Sequence, residues 1–171
     1  MTVQTFTAYL DRPPQGDDYD RLFEAGLSDA TAGIENGRGV LDVSREAESL
    51  TEAIVSVDDD VERAGFRLVG VSDDDVVSLK TVASRVGRTY ESVRLLATGR
   101  RGPGGFPAPL SEDGWVLLSW SAVADWFRQH YGDEIVTDDR ERILSAADLL
   151  LRARALNIPD SLVDLKELLT A

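Results

Sequence analysis

The sequence contains no cysteine and a single histidine, His130, among its 171 residues. The lack of thiols excludes disulfide bonds and thiolate metal sites, and one imidazole leaves little for histidine ligation or a Ser-His-Asp arrangement. Catalysis would therefore have to rest on carboxylates or lysines. The carboxylates cluster in predicted linkers and on predicted helix faces with no partner base evident, so we expect no enzymatic activity, no cofactor and no metal ion.

Long apolar stretches are missing as well. The chain has no run of about 18 apolar residues, and its N-terminus lacks the charged and then apolar pattern of a secretory signal. We therefore expect no membrane span and a cytoplasmic location. An apolar content of 43% is sufficient for one medium domain or two small ones, each with a modest core.

Positive charge is scarce except in one segment. The net charge of −13 argues against a general nucleic-acid binder, because an acidic surface repels a polyanion. Residues 76–110 reverse the sign, since six basic side chains and only Glu91 as an acid give a net charge of +5. From composition alone, a solvated helix face without a partner explains this segment as well as a binding surface does.

The first part of the chain predicts strands, a helix and a hairpin. Residues 3–10 alternate in polarity as a strand does, and the following "DRPPQG" interrupts it. Residues 17–25 suit a short helix. Further along, the Asn36-Gly37 pair predicts a tight hairpin between two strands, because both residues tolerate the positive φ that such a turn needs.

A second helix and a last strand complete the predicted N-terminal domain, residues 1–72. Ser49 and Glu52 match a capping box, and the apolar residues that follow recur every three or four positions. Residues 66–72 predict the last strand. The order is βαββαβ, which is the ferredoxin-like arrangement of an antiparallel sheet with two helices on one face, within an α+β protein.

Two runs of three aspartates are predicted to be solvated. Residues 58–60 fall inside the second helix, where consecutive positions turn by about 100° each, so they are expected on its surface. Residues 73–75 lie in the segment between the first domain and the next. Three adjacent acids could bind a cation, but their side chains do not converge on one point in a flexible turn, and we expect a solvated linker.

The segment "SLKTVASRVGRTYESVRLLATG" has the spacing of a helix-turn-helix. Ser78 and Thr89 are predicted to cap helices over 79–86 and 90–98, and Gly87 stands where a left-handed turn is required. Five small or aliphatic residues would face inward: Val82, Ala83, Val86, Val93 and Leu96. A helix pair with a purely structural role has the same pattern.

The next segment, "GRRGPGGFPAPLSEDGWVLLSWSAVADWF", resembles the region after the recognition helix in the excisionase-like branch of the MerR superfamily. In that family a Phe-Pro-x-Pro element leads into a small β wing, and a helix with a Trp closes the core. The matching residues are Phe106, Pro107 and Pro109, a hairpin turn at Asp113-Gly114, and a helix from about Ser121 that carries Trp126 and Phe127. The resemblance departs from the family in the insertion "RRGPGG". It implies a winged helix-turn-helix domain over 76–132 and a bacterial DNA-binding regulator.

The resemblance also implies roles for individual residues. The second helix of the pair would enter the major groove, with base edges read by Tyr90, Glu91, Ser92 and Arg94. Thr89 would both cap this helix and donate to a phosphate. Phosphates would be held, without sequence discrimination, by Lys80, Arg85, Arg88, Arg100 and Arg101.

Aromatic residues are predicted mainly to pack inside the protein. The ring of Tyr90 could pack on the wing instead of contacting DNA. Four others are expected in the core, because they alternate or recur at buried spacing and do not interleave with basic residues: Trp115, Trp120, Trp126 and Phe127.

Residues 137–171 predict a helical hairpin as a C-terminal extension. Asn157 and Pro159 separate two leucine-rich helices, and Asp160 is predicted to cap the second. A single winged unit seldom specifies a site alone, so we expect a homodimer on a palindromic site, formed through these helices or the N-terminal sheet. A hairpin that packs on its own domain is the alternative.

Three functions are open at this point. We favour a sequence-specific transcriptional regulator that binds double-stranded DNA. A second possibility is an excisionase-like protein that uses the same winged unit to bend DNA. The third is a ligand-sensing or protein-interaction module that uses the helix-turn-helix as a scaffold, because βαββαβ domains often bind small molecules or pair edge to edge.

Overall fold

The protein combines helices with small antiparallel sheets, as the α+β class predicts. A computed structural model describes residues 1–72, 75–111, 114–132, 135 and 139–169. The predicted linker residues Asp73 and Asp74 and the predicted turn residue Asp113 lie outside the described residues. The chain divides into two compact units, residues 1–72 with 146–171 and residues 73–145.

The first unit begins with four strands and two helices in the order βαββαβ. They are β1 (Thr2–Leu10), α1 (Asp18–Glu24), β2 (Ala30–Glu35), β3 (Arg38–Ala47), α2 (Leu50–Arg63) and β4 (Leu68–Val71). The strands form one antiparallel sheet in the order β2-β3-β1-β4. Each helix therefore connects two parallel strands that have one antiparallel strand between them.

The local signals of this unit are confirmed. Asn36 and Gly37 have φ angles of 49° and 79° in the turn between β2 and β3, as the Asn-Gly pair predicts. The Ser49 hydroxyl accepts a hydrogen bond from the amide of Glu52 at 3.1 Å and so caps α2. The Glu52 carboxylate accepts from the amide of Glu48, one residue earlier than a capping box requires.

One face of the sheet forms the apolar core of the first unit. Phe6, Ala8 and Leu10 alternate along β1 and are buried. Phe6 lies opposite Val43 on β3, and Ala8 lies opposite Leu41. The apolar stripe of α2 is buried too, and this helix contacts β3 and β4. The residues that gave the period-two and period-3.6 patterns are therefore the ones that pack together.

A buried ion network crosses this apolar layer. Arg45 on β3 pairs with Asp29 through two nitrogens, at 2.8 and 2.9 Å, and with Asp60 on α2 at 2.8 Å. Its guanidinium also donates to the Ser56 hydroxyl and to the carbonyl oxygen of Gly26, both at 3.0 Å. The predicted surface position of Asp60 is wrong, because this carboxylate is buried where it neutralises Arg45.

Side chains of helix α6 (Asp139–Ala155) form hydrogen bonds with backbone groups at the outer edge of β4. Asp148 accepts a hydrogen bond from the amide of Val71 at 3.1 Å, and Arg154 donates to the carbonyl oxygen of Leu68 at 3.1 Å. Gly70 allows this approach, since a Cβ there would lie 2.6 Å from an oxygen of Asp148. The edge of β4 is therefore not free to pair with another strand along these groups.

Asp58 is also engaged in a contact that the sequence did not predict. Its carboxylate accepts hydrogen bonds from both terminal nitrogens of Arg154, at 2.5 and 2.7 Å. These hydrogen bonds raise the pKa of the Arg154 guanidinium. Together with the contacts to β4, they join α6 to the first unit. The predicted C-terminal extension is thus divided, with residues 139–145 in the second unit and 146–171 in the first.

Two short helical segments follow α6. They are α7 (Pro159–Leu165) and a 3-10 turn (Lys166–Leu169). Asn157 has a φ of 54°, which confirms the predicted break between the helices. Because α7 already begins at Pro159, the prediction that Asp160 precedes and caps it is wrong. No helix in the described parts of the chain is both long and apolar enough to cross a bilayer.

The second unit contains a two-stranded sheet and three complete helices. They are β5 (Val76–Ser78), α3 (Leu79–Arg85), α4 (Tyr90–Ala97), β6 (Leu117–Ser119) and α5 (Trp120–Tyr131). β5 and β6 are antiparallel, with Val77 opposite Leu118. Because α3 follows β5 directly and α5 follows β6 directly, the two helices start at opposite ends of this sheet.

Replacement of Arg45 by alanine should lower the free energy of unfolding by about 3–5 kcal/mol, because Asp29 and Asp60 would lose their shared cation. Urea denaturation followed by circular dichroism measures the change. Arg63→Ala is the matched control, since Arg63 also pairs with Asp60 but has a largely exposed side chain. Its loss should stay below about 1 kcal/mol. Equal losses in the two variants would contradict the structural role of Arg45.

Candidate nucleic-acid interface

The helix pair α3–α4 begins and turns at the residues that the sequence predicts. Ser78 accepts a hydrogen bond from the amide of Thr81 at 3.2 Å and caps α3. Thr89 accepts from the amide of Ser92 at 3.2 Å and caps α4. Gly87 between the two helices has a φ of 64°, which a residue with a side chain rarely adopts. The oxygen of the Thr89 hydroxyl accepts the capping bond, which leaves its O–H able to donate to another group.

The inward side of both helices belongs to the core of the second unit. Val93 and Leu96 of α4 are buried, as predicted. They share one apolar cluster with other residues of this unit: Val77, Leu79, Val82, Ala83, Leu118, Trp120, Val123, Ala124, Trp126 and Phe127, with Val86 packed against it. Because an α-helix turns by 3.6 residues, burial of Val93 and Leu96 directs Glu91 and Arg94 to the opposite side.

The outward side of α4 carries an ion pair between two of the proposed readout residues. Arg94 donates to both carboxylate oxygens of Glu91, at 2.6 and 2.9 Å. These hydrogen bonds lower the pKa of Glu91, and the positive charge of Arg100 contributes to the shift. Tyr90 is exposed beside the pair, whereas Ser92 is half-buried. A base edge would have to compete with Glu91 for the guanidinium of Arg94.

The five basic residues assigned to phosphates fall into two groups. The guanidinium of Arg85 lies 4.9 Å from the ring centre of Trp120. One of its nitrogens lies 3.7 Å from a carboxylate oxygen of Glu141. That of Arg88 lies 4.2 Å from the ring centre of Tyr131. These two arginines therefore contact aromatic faces within their own unit. Arg85 is exposed nonetheless, as are the three residues of the second group: Lys80, Arg100 and Arg101.

A glycine-rich loop positions Arg100 and Arg101 after α4. The backbone amides of both arginines donate to one carbonyl oxygen of that helix, at 3.0 and 3.2 Å. Gly102 has a φ of 88°, and a Cβ there would lie 2.5 Å from a leucine of α4. The indole N–H of Trp126 donates to the carbonyl oxygen of Gly104 at 3.0 Å. The loop is thus attached to both α4 and α5, which restricts where the two arginines can lie.

The chain folds back on itself before β6. The amide of Leu110 donates to the carbonyl oxygen of Leu117 at 2.7 Å, and Ser111 forms a single bridge with Leu117. These contacts bring the "APL" and "WVLL" segments together, as a hairpin between them predicts. We refer to the described residues of this segment, 110–111 and 114–117, as the β6 hairpin.

The exposure of Trp115 corrects one expectation from the sequence. Trp120, Trp126 and Phe127 are buried as predicted, but Trp115 is 79% exposed. Alternation or recurrence at buried spacing predicted burial for all four, yet Trp115 lies on the β6 hairpin and is not part of the apolar cluster of this unit. It is therefore a surface group.

Asp75 is a buried residue whose role the sequence did not reveal. Its carboxylate accepts hydrogen bonds from the Ser119 hydroxyl at 2.7 Å and from the Ser121 amide at 2.6 Å. Its carbonyl oxygen accepts from the amide of Trp120 at 2.6 Å. The negative charge thus lies at the N-terminus of α5, where it is favourable. The expectation of a solvated linker is wrong for Asp75, because pairing of β5 with β6 brings it to that helix.

The exposed groups on α4 and in the loop after it can form hydrogen bonds with a ligand. They are the phenol of Tyr90, the carboxylate of Glu91 and the guanidinium groups of Arg100 and Arg101. Within the described residues, no three His, Asp or Glu side chains are grouped to hold a metal ion.

Asp75→Ala should destabilise the protein by roughly 1–3 kcal/mol, since the Ser119 hydroxyl and the Ser121 amide would lose a charged acceptor at a helix terminus. Thermal unfolding followed by tryptophan fluorescence measures the change. Asp125→Ala is a suitable comparison, because Asp125 forms ion pairs on the exposed surface of α5. A stability loss no larger than that of Asp125→Ala would show that Asp75 does not hold α5 in place.

Three comparisons with known proteins give no relative for this chain. No protein-family model matches it. No curated protein and no solved structure matches it either.

Proposed function

We propose that the protein is a sequence-specific, double-stranded DNA-binding regulator of transcription that reads the major groove with α4. In this proposal the second unit is a winged helix-turn-helix of the excisionase-like type, and the first unit is a ferredoxin-like domain. The observation that carries the proposal is the placement of α4. Its apolar side is buried, and its polar side is exposed in the one segment of an acidic chain with a net positive charge.

Charge and hydrogen-bonding chemistry support a division of roles around α4. Arg94 can donate two parallel hydrogen bonds to guanine, and Glu91 can accept one from cytosine. Lys80, Arg100 and Arg101 are exposed and suit phosphate oxygens, which position a protein without reading sequence. Arg85 and Arg88 already lie against aromatic rings, so their contribution to phosphate binding would be the smaller one.

The acidic remainder of the chain fits the same proposal. Residues outside 76–110 carry a net charge of −18, which repels a polyanion. Only the basic segment can approach DNA without this repulsion, so the encounter is oriented and non-specific affinity is kept low. Because DNA binding in a bacterial cell takes place in the cytoplasm, the proposal includes a cytoplasmic location.

Selection of bound duplexes from a random library tests the proposal directly, and variants of two arginines then test the roles. With the selected duplex, Arg94→Ala should cost ~1–3 kcal/mol of binding and relax the preference at one base position. Arg101→Ala should weaken binding to all sequences alike and reduce the slope of log K against log salt by about 1. Fluorescence anisotropy at several salt concentrations measures both effects.

Two results would count against this proposal. The first is a library that yields no enriched sequence at low ionic strength. The second is an equal, sequence-independent loss of affinity in both arginine variants. That result would mean that α4 contributes positive charge but does not read the base sequence.

The exposed tryptophan favours a second candidate, an excisionase-like protein that bends DNA. Apolar side chains that insert between base steps kink a duplex, and Trp115 is a large exposed apolar group on the β6 hairpin. A duplex labelled at both ends should then show a shorter end-to-end distance by energy transfer when the protein binds. Trp115→Ala should abolish the shortening while it preserves most of the affinity. If the duplex is not bent in the wild-type complex, the DNA-bending function is excluded and the transcriptional regulator remains the proposed function.

A further inference from the structure

The C-terminal residues of the first unit expose an unusual amount of aliphatic surface. Eight large side chains are between 42% and 74% exposed: Leu149, Leu150, Leu156, Ile158, Val163, Leu165, Leu168 and Leu169. We call residues 149–169 the leucine hairpin. Isolated exposed leucines are common on protein surfaces, but a concentration of this kind marks an interaction surface.

Helix α6 leaves some of its leucine side chains exposed. Helix α6 turns Asp148 and Leu151 inward, where both are buried. The exposed residues Leu149 and Leu150 therefore lie on other faces of the same helix. The helix therefore carries leucine side chains outside the face that holds Asp148 and Leu151.

The leucine hairpin contains both a groove and projecting side chains. A groove of about 320 Å³ lies between α6 and the last two helical segments. Its walls are mostly aliphatic and include Leu150, Ala153, Leu162, Leu165, Leu168 and Leu169. A two-fold interface needs a surface that is complementary to itself, and a groove beside exposed leucines offers both a recess and side chains to fill it.

Charge favours a second copy of this chain as the occupant. Residues 146–169 carry four acidic and three basic side chains, a net charge of −1, in a protein with a net charge of −13. Two copies repel each other over most of their surfaces, but this nearly neutral region allows close approach. The charges of this region nearly balance, so a partner with a strong charge of one sign gains little net attraction here.

The amount of aliphatic surface also suits a dimer. Side chains at these exposures present on the order of 500 Å² per copy, from the area that burial of a leucine or valine typically removes from water. A standard interface buries roughly 800 Å² per partner, of which about 65% is apolar in homodimers. The hairpin therefore carries about the apolar area that one side of such an interface needs.

We propose that the leucine hairpin is the interface of a homodimer, in which each copy inserts aliphatic side chains into the groove of its partner. This inference does not depend on DNA binding. It selects the C-terminal helices over the β-sheet edge as the dimerisation surface.

Sedimentation equilibrium over a range of protein concentrations tests the proposal. The wild-type chain should dimerise, and the double variant Leu150→Gln/Leu168→Gln should raise the dimer dissociation constant by roughly 100-fold or more. Glutamine is neutral, so the variant does not add charge repulsion. Val55→Gln is the matched control, because Val55 is an exposed aliphatic residue on α2, outside the hairpin. Its dissociation constant should equal that of the wild type.

A second measurement does not depend on disrupting the hairpin. Since the chain has no cysteine, a spin label can be attached at Lys166→Cys alone. Pulsed electron paramagnetic resonance should then give one defined distance between copies. A label at Glu35→Cys on β2, the sheet edge opposite β4, should give a longer distance.

Three outcomes would overturn the proposal. The wild-type chain could sediment as a monomer up to high micromolar concentration. The dimer could be insensitive to the leucine variant. It could instead be disrupted by Ile34→Gln, which alters an exposed residue of β2 and would assign the interface to the sheet edge. None of these outcomes involves DNA. If the chain is a monomer and still binds duplexes, the dimer interface is wrong and the proposed function stands.

Discussion

The position of α4 depends on the burial of Val93 and Leu96 in the apolar cluster of the second unit. Both side chains are almost fully buried. Because a helix turns by a fixed angle per residue, their burial sets the direction of the other side chains on α4. Glu91 and Arg94 must point outward. The cluster includes Phe127 from α5, so residues distant in sequence decide which groups of α4 are available for binding. The chemistry of the candidate interface is thus a consequence of core packing.

Two buried polar contacts play corresponding parts in the two units. Arg45 connects β3 to α2 through Asp60, and Asp75 connects the start of β5 to α5. In both cases a charged group is removed from water and its loss of hydration is offset by several hydrogen bonds. Such contacts tolerate little change of geometry, because a partner that moves leaves an unsatisfied charge. Loss of either partner is therefore expected to destabilise the unit that contains it.

Local signals predicted much of the fold and part of the candidate site. Caps such as Ser49 and Thr89 depend on neighbours three residues away, so the sequence contains all the information they need. Predictions failed where a distant residue was involved. Asp60 is buried because of Arg45, on another element. Trp115 is exposed because the β6 hairpin holds it outside the apolar cluster. Alternation in polarity does not show whether other elements pack on a strand and cover its side chains.

The sequence by itself determined the capped starts of α2, α3 and α4, the positive-φ turns at Asn36-Gly37 and Gly87, and the net positive charge of residues 76–110. These properties depend on local backbone sterics and on composition, which need no knowledge of the fold. Only the tertiary structure decided which acids are buried, which arginines lie against aromatic rings, and that residues 146–171 belong with the N-terminal sheet. Those outcomes depend on pairing between segments far apart in the chain, and that pairing sets the burial and charge around each side chain.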